Sequence, residues 1–269
     1  MQRKSIGEEN WHNGRGQPMF YGIYLSADGA HVQAKRLEVI AHNLANVDTP
    51  GFRRQLAILQ ARASEVGSYS SSPRANFEEL PGGTEVSHTA FDSSPGKIKH
   101  TGIPTDFAIV GEGYFVVDRD GEPVLTRAGN FSLTATGQLV VHAEGRPLPV
   151  LSQAGQPIVI DPTQGPWELS PSGVIRQGAM LQPLALVRPA DPQSLVPIGE
   201  TFYRVRGELQ PIPENTRQVR AGYLEESAVH PTTEMVELIE ASRAVEANLN
   251  MLQLQDSTLG ALVTRLLRV

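Results

Sequence analysis

Cysteine is absent from this sequence of 269 residues. Its absence excludes disulfide bonds, zinc sites with thiolate ligands and iron–sulfur clusters held by cysteine, and it leaves no thiol nucleophile. The folded state must therefore be stabilised by packing.

Runs of lysine and arginine are also absent, and the formal net charge is -6. Because proteins that bind nucleic acids usually carry a basic patch, no nucleic-acid partner is expected. No segment has about eighteen consecutive apolar residues, as a membrane helix needs, so no direct membrane insertion is expected. Residues 1–18 lack the apolar region of a secretory signal peptide, and export would need a route without a cleaved signal.

Motifs of catalytic and metal sites are missing as well. The seven histidines show no HExxH pairing, and no Gly-x-Ser-x-Gly elbow occurs. The segment Asp118–Glu122 begins like a calcium loop, but Gly129 stands where the twelfth position needs glutamate, so a hairpin turn is expected instead. We therefore predict no catalytic residue, no cofactor and no metal site, and we do not expect an enzyme.

Two segments near the ends of the chain show helical periodicity. From Ile23, apolar residues recur three and four positions apart, which predicts a helix that ends near Asn46. Residues 233–267 contain no proline and keep a four-three alternation over four heptads, a helix of about 50 Å. A short helical stretch is also expected at 55–63.

The middle of the chain has a different pattern, with short β-prone runs separated by turn signals such as Thr136–Gly137. This pattern predicts an antiparallel β domain of meander or barrel type. The β-prone runs are 107–110, 114–117, 124–126, 131–133, 138–141 and 157–160.

The predicted fold class is therefore α+β, in which N- and C-terminal helices form a coiled-coil-like helical domain and the centre forms an antiparallel β domain. The predicted organisation is a disordered extension at 1–18, a terminal helical domain at 19–63 plus 215–269, an irregular linker at 64–95 and a central β domain at 96–214.

Each helical segment carries a narrow apolar stripe that needs a partner, because burying one methylene group is worth about 0.8 kcal/mol. The two helices are expected to pair, and the apolar surface left over is expected to bind neighbouring subunits. Two polar members of the stripe, Ser242 and Asp256, either set the register between subunits or face a wet seam. The predicted assembly interface comprises Ala30, Ala34, Leu37, Ile40, Ala41, Leu44, Asn46, Phe52, Leu238, Ser242, Val245, Leu249, Leu252, Asp256, Leu259, Val263 and Leu266.

The stretch from Asn46 to Phe52 is expected to act as a corner that turns the chain outward from the first helix. Asn46 can adopt a left-handed cap conformation, Gly51 can turn the chain, and Phe52 can anchor it. An ordinary helix stop would explain the same residues.

Three groups of motifs follow one another along the chain. They are Val39–Arg54; Thr101–Phe115 with Leu125–Phe131 and Gly137–Val140; and Val219–Val229 with Glu234–Ile239 and Ser242–Asn248. In content and order, these groups resemble the motifs of the flagellar rod, hook and hook-associated proteins. The resemblance extends over roughly residues 19–269, and one departure is His42, where the family usually has asparagine.

The resemblance implies a structural subunit that leaves the cell body through the flagellar type III export apparatus and assembles with other axial proteins, the rod and hook subunits, in the flagellar basal body. It also implies a helical tube in which paired terminal helices line the core and the β domain lies outside. The chain length resembles that of the rod proteins more than that of the longer hook protein. The opening Phe20–Tyr24 and the modest central region favour the proximal rod, with a distal rod or hook-type subunit as the alternative. Apart from the resemblance, a β-domain hydrolase dimerised by its helices and a coiled-coil adapter also fit the pattern.

Overall fold

Two long helices lie at the two ends of the described chain, and strands lie between them. The computed structural model describes residues 17–61, 83–92, 94–143, 145–161, 163–191, 194–199 and 201–267. Helix α1 spans Gln17–Ala45 and helix α2 spans Pro231–Leu266. Most of the predicted disordered extension lies outside the described residues, and α1 already includes Gln17 and Pro18.

The helix limits follow from local chemistry. Helix α2 begins at Pro231, whose fixed φ suits the first helical position and whose missing N–H is not needed there. Glu234 in its first turn and Arg265 in its last turn suit the two poles of the helix dipole. Among the described residues, no helix combines the length and the hydrophobicity that crossing a bilayer requires.

The strands form antiparallel sheets, which together with the helices confirms the α+β prediction. The largest sheet has six strands in the order β14-β15-β6-β5-β13-β16, and two three-stranded meanders, β7-β8-β9 and β10-β11-β12, accompany it. The strands are β1 (Gln55–Ala61), β2 (Thr84–Phe91), β3 (Ile98–His100), β4 (Phe107–Ile109), β5 (Tyr114–Arg119), β6 (Glu122–Thr126), β7 (Ser132–Leu133), β8 (Leu139–Ala143), β9 (Arg146–Pro149), β10 (Trp167–Leu169), β11 (Val174–Gln177), β12 (Met180–Pro183), β13 (Leu186–Pro189), β14 (Leu195–Pro197), β15 (Phe202–Val205), β16 (Leu209–Pro211), β17 (Val219–Ala221) and β18 (Tyr223–Glu225).

The turn between β5 and β6 is the hairpin predicted from Asp118–Glu122. Arg119 pairs with Glu122, so the loop has two residues, Asp120 and Gly121. Both have positive φ values, 56° and 86°, as a type I′ turn requires. The Asp118 carboxylate accepts a hydrogen bond of 2.9 Å from the Gly121 N–H and supports the turn.

The helix predicted at 55–63 is wrong, because this segment contains strand β1. The side-chain amide of Asn43 binds both the N–H and the carbonyl of Gln55 at 2.8 Å, and β2 pairs with β1. These partners are distant in sequence, and they override the weak local preference for helix. Strand β2 likewise occupies part of the segment predicted as an irregular linker.

The β-prone run at 157–160 forms isolated bridges instead of a strand. Pro157 has no N–H to donate to a ladder. The backbone N–H and carbonyl of Val159 are bound by the side chain of Gln182, at 3.1 and 2.7 Å. A glutamine side chain therefore takes the place of a neighbouring strand.

The chain divides into two compact units. One contains the described parts of Met1–Glu38, Ala57–His88 and Glu237–Val269, and the other contains Val39–Leu56 and Thr89–Val236. The predicted domain limits, drawn from composition and not from contacts, stay a prediction.

The second unit holds the main hydrophobic core. Phe131 lies at its centre, with its ring centroid 5.5 Å from that of Phe107 and 5.1 Å from that of Phe115, both in edge-to-face geometry. A smaller cluster forms around Tyr203, whose ring lies 5.2 Å from that of Phe91.

The phenol of Tyr203 makes the stability of this unit sensitive to high pH. Burial, followed by the proximity of Tyr114, raises the pKa of Tyr203 well above its ordinary value of 10.0. The folded state therefore holds this proton more tightly than the unfolded state. The resulting stability is fully present below pH 10.0 and falls as the pH rises towards the higher folded-state pKa.

We expect the free energy of urea unfolding to decrease between about pH 10 and pH 11, and Tyr203→Phe to reduce that decrease. Phenylalanine keeps the ring contacts and removes the ionisable group. An identical pH dependence in the variant and the unaltered protein would contradict this assignment.

Candidate functional site

The corner after α1 is built mainly by the side chains of Asn46 and Thr49. The Asn46 amide donates to the His42 carbonyl at 2.9 Å, and its oxygen accepts from the Thr49 hydroxyl at 3.1 Å. The predicted left-handed conformation of Asn46 is wrong, since Asp120 is the non-glycine residue with positive φ in the described chain. The side chain satisfies the helix end, so the backbone need not become left-handed.

Gly51 and Phe52 complete the corner. Gly51 has a φ of 70°, and its N–H donates to the Glu225 carbonyl at 2.8 Å. A Cβ atom at Gly51 would lie 2.4 Å from the carbonyl carbon of Arg127, so glycine is required there for space as well as for φ. Phe52 is buried, as an anchor should be, and its carbonyl accepts from the Ala228 N–H at 3.0 Å.

A buried ionic triad of Arg53, Arg127 and Glu225 lies beside the corner. The Glu225 carboxylate is 3.2 Å from the Arg53 guanidinium and 3.0 Å from that of Arg127, and all three side chains are at most 4% exposed. Charges this deeply buried persist only when they are paired and hydrogen-bonded. Burial lowers the pKa of Arg127, and the Glu225 carboxylate opposes that shift.

Backbone groups bind several other polar atoms of the triad. Arg127 donates to the Gly111 carbonyl at 2.6 Å, and Arg53 donates to the Ser94 carbonyl. Glu225 also accepts from the Gly96 N–H at 3.0 Å. The triad therefore binds several separate loops to one buried centre.

A second cluster joins the buried Asn43 and Glu234 with the half-buried Arg54, and we call it the helix-end cluster. Glu234, in the first turn of α2, is fully buried. Its carboxylate accepts from Arg54 Nε at 2.5 Å and from Asn43 Nδ2 at 3.3 Å. The last turns of α1 and the first turn of α2 therefore meet at one carboxylate.

Local sequence patterns did not identify either cluster. Each triad member comes from a different motif group, so the three groups that carry the family resemblance converge on one point. The available signal was the presence, in the three motif groups, of charged residues of opposite sign that can pair.

Helices α1 and α2 run antiparallel within the first unit. A Cβ atom on Gly22 would lie 3.2 Å from the Gln255 side chain, and one on Gly29 would lie 3.1 Å from the Asn248 side chain. The two contacts are seven residues apart on both helices, which is the spacing of a heptad.

The predicted stripe on α2 divides into two lines. Leu238, Val245, Leu252 and Leu259 are half-buried, as is Ser242. Leu249 and Asp256, together with Val263 and Leu266 near the end of the helix, are exposed. The sequence pattern placed Ser242, Leu249 and Asp256 on the face of α2 that packs against α1. In the structure, the residues one position earlier lie on that face: Ala241 is buried, and Asn248 and Gln255 are half-buried. Helix periodicity fixes which residues share a face, but the partner decides how that face is turned.

Most of the predicted interface residues in α1 and in the corner are buried or half-buried. Ile40, Asn46 and Phe52 are buried and Ala41 is exposed. Ala30, Ala34, Leu37 and Leu44 are half-buried.

Three family models match the chain in order. Residues 23–53 match "Flagella basal body rod protein", residues 108–177 match "Flagellar hook protein FlgE/F/G D1 domain", and residues 220–265 match "Flagellar basal body rod FlgEFG protein C-terminal".

Similar whole proteins carry corresponding names. The flagellar basal-body rod protein FlgF of Caulobacter vibrioides is 32% identical, with 86% of this chain and 91% of that protein covered. FlgF of Mesorhizobium japonicum is 32% identical, with 83% and 88% covered. The flagellar basal-body rod protein FlgG of Bacillus subtilis is 29% identical, with 91% and 98% covered. This chain belongs to the flagellar basal-body rod proteins.

The rod protein is a structural subunit of the flagellar basal body, and it assembles with other axial flagellar proteins. It is not an enzyme, because the proteins it resembles are structural. In the part of the chain that is described, no group of three or more histidine or carboxylate side chains is placed to hold a metal ion.

The rod protein also has a groove of about 700 Å³ beside the corner. Its lining includes Asp48, Pro50, Lys97 and Lys99. Lys99 pairs with Glu226 at 3.4 Å, so part of its charge is already compensated.

Proposed function

We propose that the rod protein assembles through α1 and α2, which form a coiled-coil-like pair, into a helical tube that transmits torque in the proximal rod. The observation that supports this proposal is the exposed apolar line on α2. Leu249 is 47% exposed, Val263 54% and Leu266 76%.

The C-terminal half of α2, which carries this line, has few charged residues to favour its exposure to solvent. Between Ala247 and Thr264, Asp256 is the one charged residue. Met251 and Leu254 are also more than half exposed. Exposed apolar surface of this extent is typical of protein–protein interfaces, and in a rod subunit the neighbours are axial proteins. Asp256 lies in the exposed line, where a polar residue would set the register between subunits.

Introducing charge into this line tests the proposal. Leu249→Lys and Val263→Lys are expected to leave a folded monomer, because both side chains are exposed, and to prevent rod assembly by placing charges in an apolar interface. The measurement is motility and the yield of isolated basal bodies in a strain whose only copy of the gene carries the change. Circular dichroism of the purified protein checks the fold.

The matched control is Leu181→Lys, because Leu181 is 58% exposed on β12, away from either helix in the sequence. It receives the same substitution and is expected to keep both assembly and motility. Normal rods in the two α2 variants would overturn the proposal.

The proximal position is the finer part of the proposal. It is supported by the opening Phe20–Tyr24 and by identities of 32% to two FlgF proteins against 29% to a FlgG protein. The proposal includes export without a cleaved signal through the flagellar type III apparatus, into the part of the rod that crosses the periplasm. This part rests on the family resemblance.

The absence of native cysteine allows a direct test of position. Ala179→Cys places a single thiol on an exposed turn of the β strands, where it can carry a gold label. Electron microscopy of isolated basal bodies is expected to show the label at the end of the rod nearest the cytoplasmic membrane. A label near the hook would contradict the proximal assignment.

A further inference from the structure

We propose that the helix-end cluster of Asn43, Arg54 and Glu234 is a mechanical joint, which passes force from both terminal helices to the β strands of the rod protein. The inference rests on the proposed function, in which α1 and α2 carry the contacts between subunits. It adds the place where force leaves the helices within one subunit.

The cluster joins the ends of both helices directly. Glu234 accepts from Asn43 of α1 at 3.3 Å and from Arg54, the residue before β1, at 2.5 Å. The Glu234 side chain is fully buried, so these two bonds take the place of its hydration. Neither helix end can shift along its axis without breaking a bond to this carboxylate.

The cluster is also hydrogen-bonded to the strands. The Asn43 amide binds both backbone groups of Gln55 at 2.8 Å, much as a neighbouring strand would. The Arg54 carbonyl accepts from the Asp92 N–H at 2.9 Å, which connects the end of β2. Force on either helix therefore reaches two strands through a continuous set of hydrogen bonds.

Directional bonds suit a joint better than apolar contacts do. Apolar side chains are attracted without directional preference, so packed surfaces can slide, whereas a hydrogen-bonded ion pair fixes distance and angle. A buried ion pair contributes little net stability compared with apolar residues of similar size. The burial of Glu234 is thus better explained by geometry than by stability. Glu237, one turn later, pairs with Arg36 at 3.7 Å and stays partly exposed.

The decisive variant replaces both charged partners, as Arg54→Met together with Glu234→Met. Removing both charges leaves no unpaired buried ion, so the melting temperature is expected to stay close to that of the unaltered protein. Hydrogen exchange of the amides at 39–45 and 232–236 is expected to become about tenfold faster, because both helix ends lose a partner. Rods are expected to form, but swimming speed should fall more steeply than in the unaltered strain as the viscosity of the medium rises.

The control is the double change Glu122→Met with Arg204→Met. The Arg204 guanidinium lies 2.6 Å from the Glu122 carboxylate, so this ion pair also joins two residues that are distant in the sequence. Both of its side chains, however, are more than half exposed. It should leave exchange at the helix ends and the dependence of speed on viscosity unchanged. If the decisive variant does not fold, Glu234→Gln, which keeps the shape and removes the charge, is expected to show the same two changes.

The proposal of a joint would be overturned if hydrogen exchange at both helix ends were unchanged in the decisive variant, or if the dependence of its swimming speed on viscosity were unchanged. Failure of the assembly proposal looks different, because Leu249→Lys would then form normal rods. The exchange measurement on purified monomer does not depend on assembly, so the two failures are distinguishable.

Discussion

Replacing Glu225 by alanine is expected to lower the free energy of unfolding by about 3–5 kcal/mol, which makes it one of the most damaging single changes in this rod protein. The substitution removes the carboxylate that lies within ion-pair distance of both Arg53 and Arg127. Their guanidinium groups cannot lose their protons near neutral pH, so the positive charge that Glu225 balanced remains at a buried site.

Urea unfolding followed by tryptophan fluorescence measures this effect, because the Trp167 ring lies 6.0 Å from Phe107 in the main core. The adjacent residue provides a matched control. Glu226 pairs with Lys99 at 3.4 Å on the surface, so Glu226→Ala is expected to cost less than about 1 kcal/mol. Equal losses in the two variants would mean that the triad is not a buried ionic centre.

Substitution of Gly51 by alanine has the second large expected effect, a loss of about 2–4 kcal/mol. The corner holds Gly51 at a φ of 70°, and a Cβ atom would lie 2.4 Å from the backbone of Arg127. Relief of that contact has to move the corner away from the β6 end and from Glu225, whose carbonyl binds the Gly51 N–H.

Gly155→Ala isolates the contribution of φ. Gly155 has a φ of 73°, but a Cβ atom there would meet nothing within 4 Å. The variant is expected to lose about 1 kcal/mol of its free energy of unfolding, which is the cost of a left-handed conformation alone. The difference between the two variants, measured by urea unfolding, gives the cost of the close approach, and no difference would show that the corner can relax.

Both helices were predictable because their signal is local. Apolar spacing and the turn residues after Asn46 lie within a few positions of the structure they specify. The hairpin at Asp120 and Gly121 was predictable for the same reason, since a type I′ turn requires particular residues at two adjacent positions.

Strand β1 and the seam of α2 show where local reasoning ends. Residues 55–61 are extended because Asn43 and β2 bind them, and neither partner is visible in a window around Gln55. Likewise, the pattern on α2 predicted the spacing of the apolar residues but not which of them face α1. The contacts of Gly22 and Gly29 with Gln255 and Asn248 turn Leu249 and Val263 outward.

By itself, the sequence determined the α+β class, the two terminal helices, the corner near Asn46 and, through its motifs, membership of the rod family. Tertiary structure alone decided that Arg53, Arg127 and Glu225 share one buried centre, and that Asn43, Arg54 and Glu234 meet in the helix-end cluster. The physical reason is that secondary structure depends on neighbours in the chain, whereas a charge is paired or unpaired according to which distant residues folding brings within about 4 Å of it.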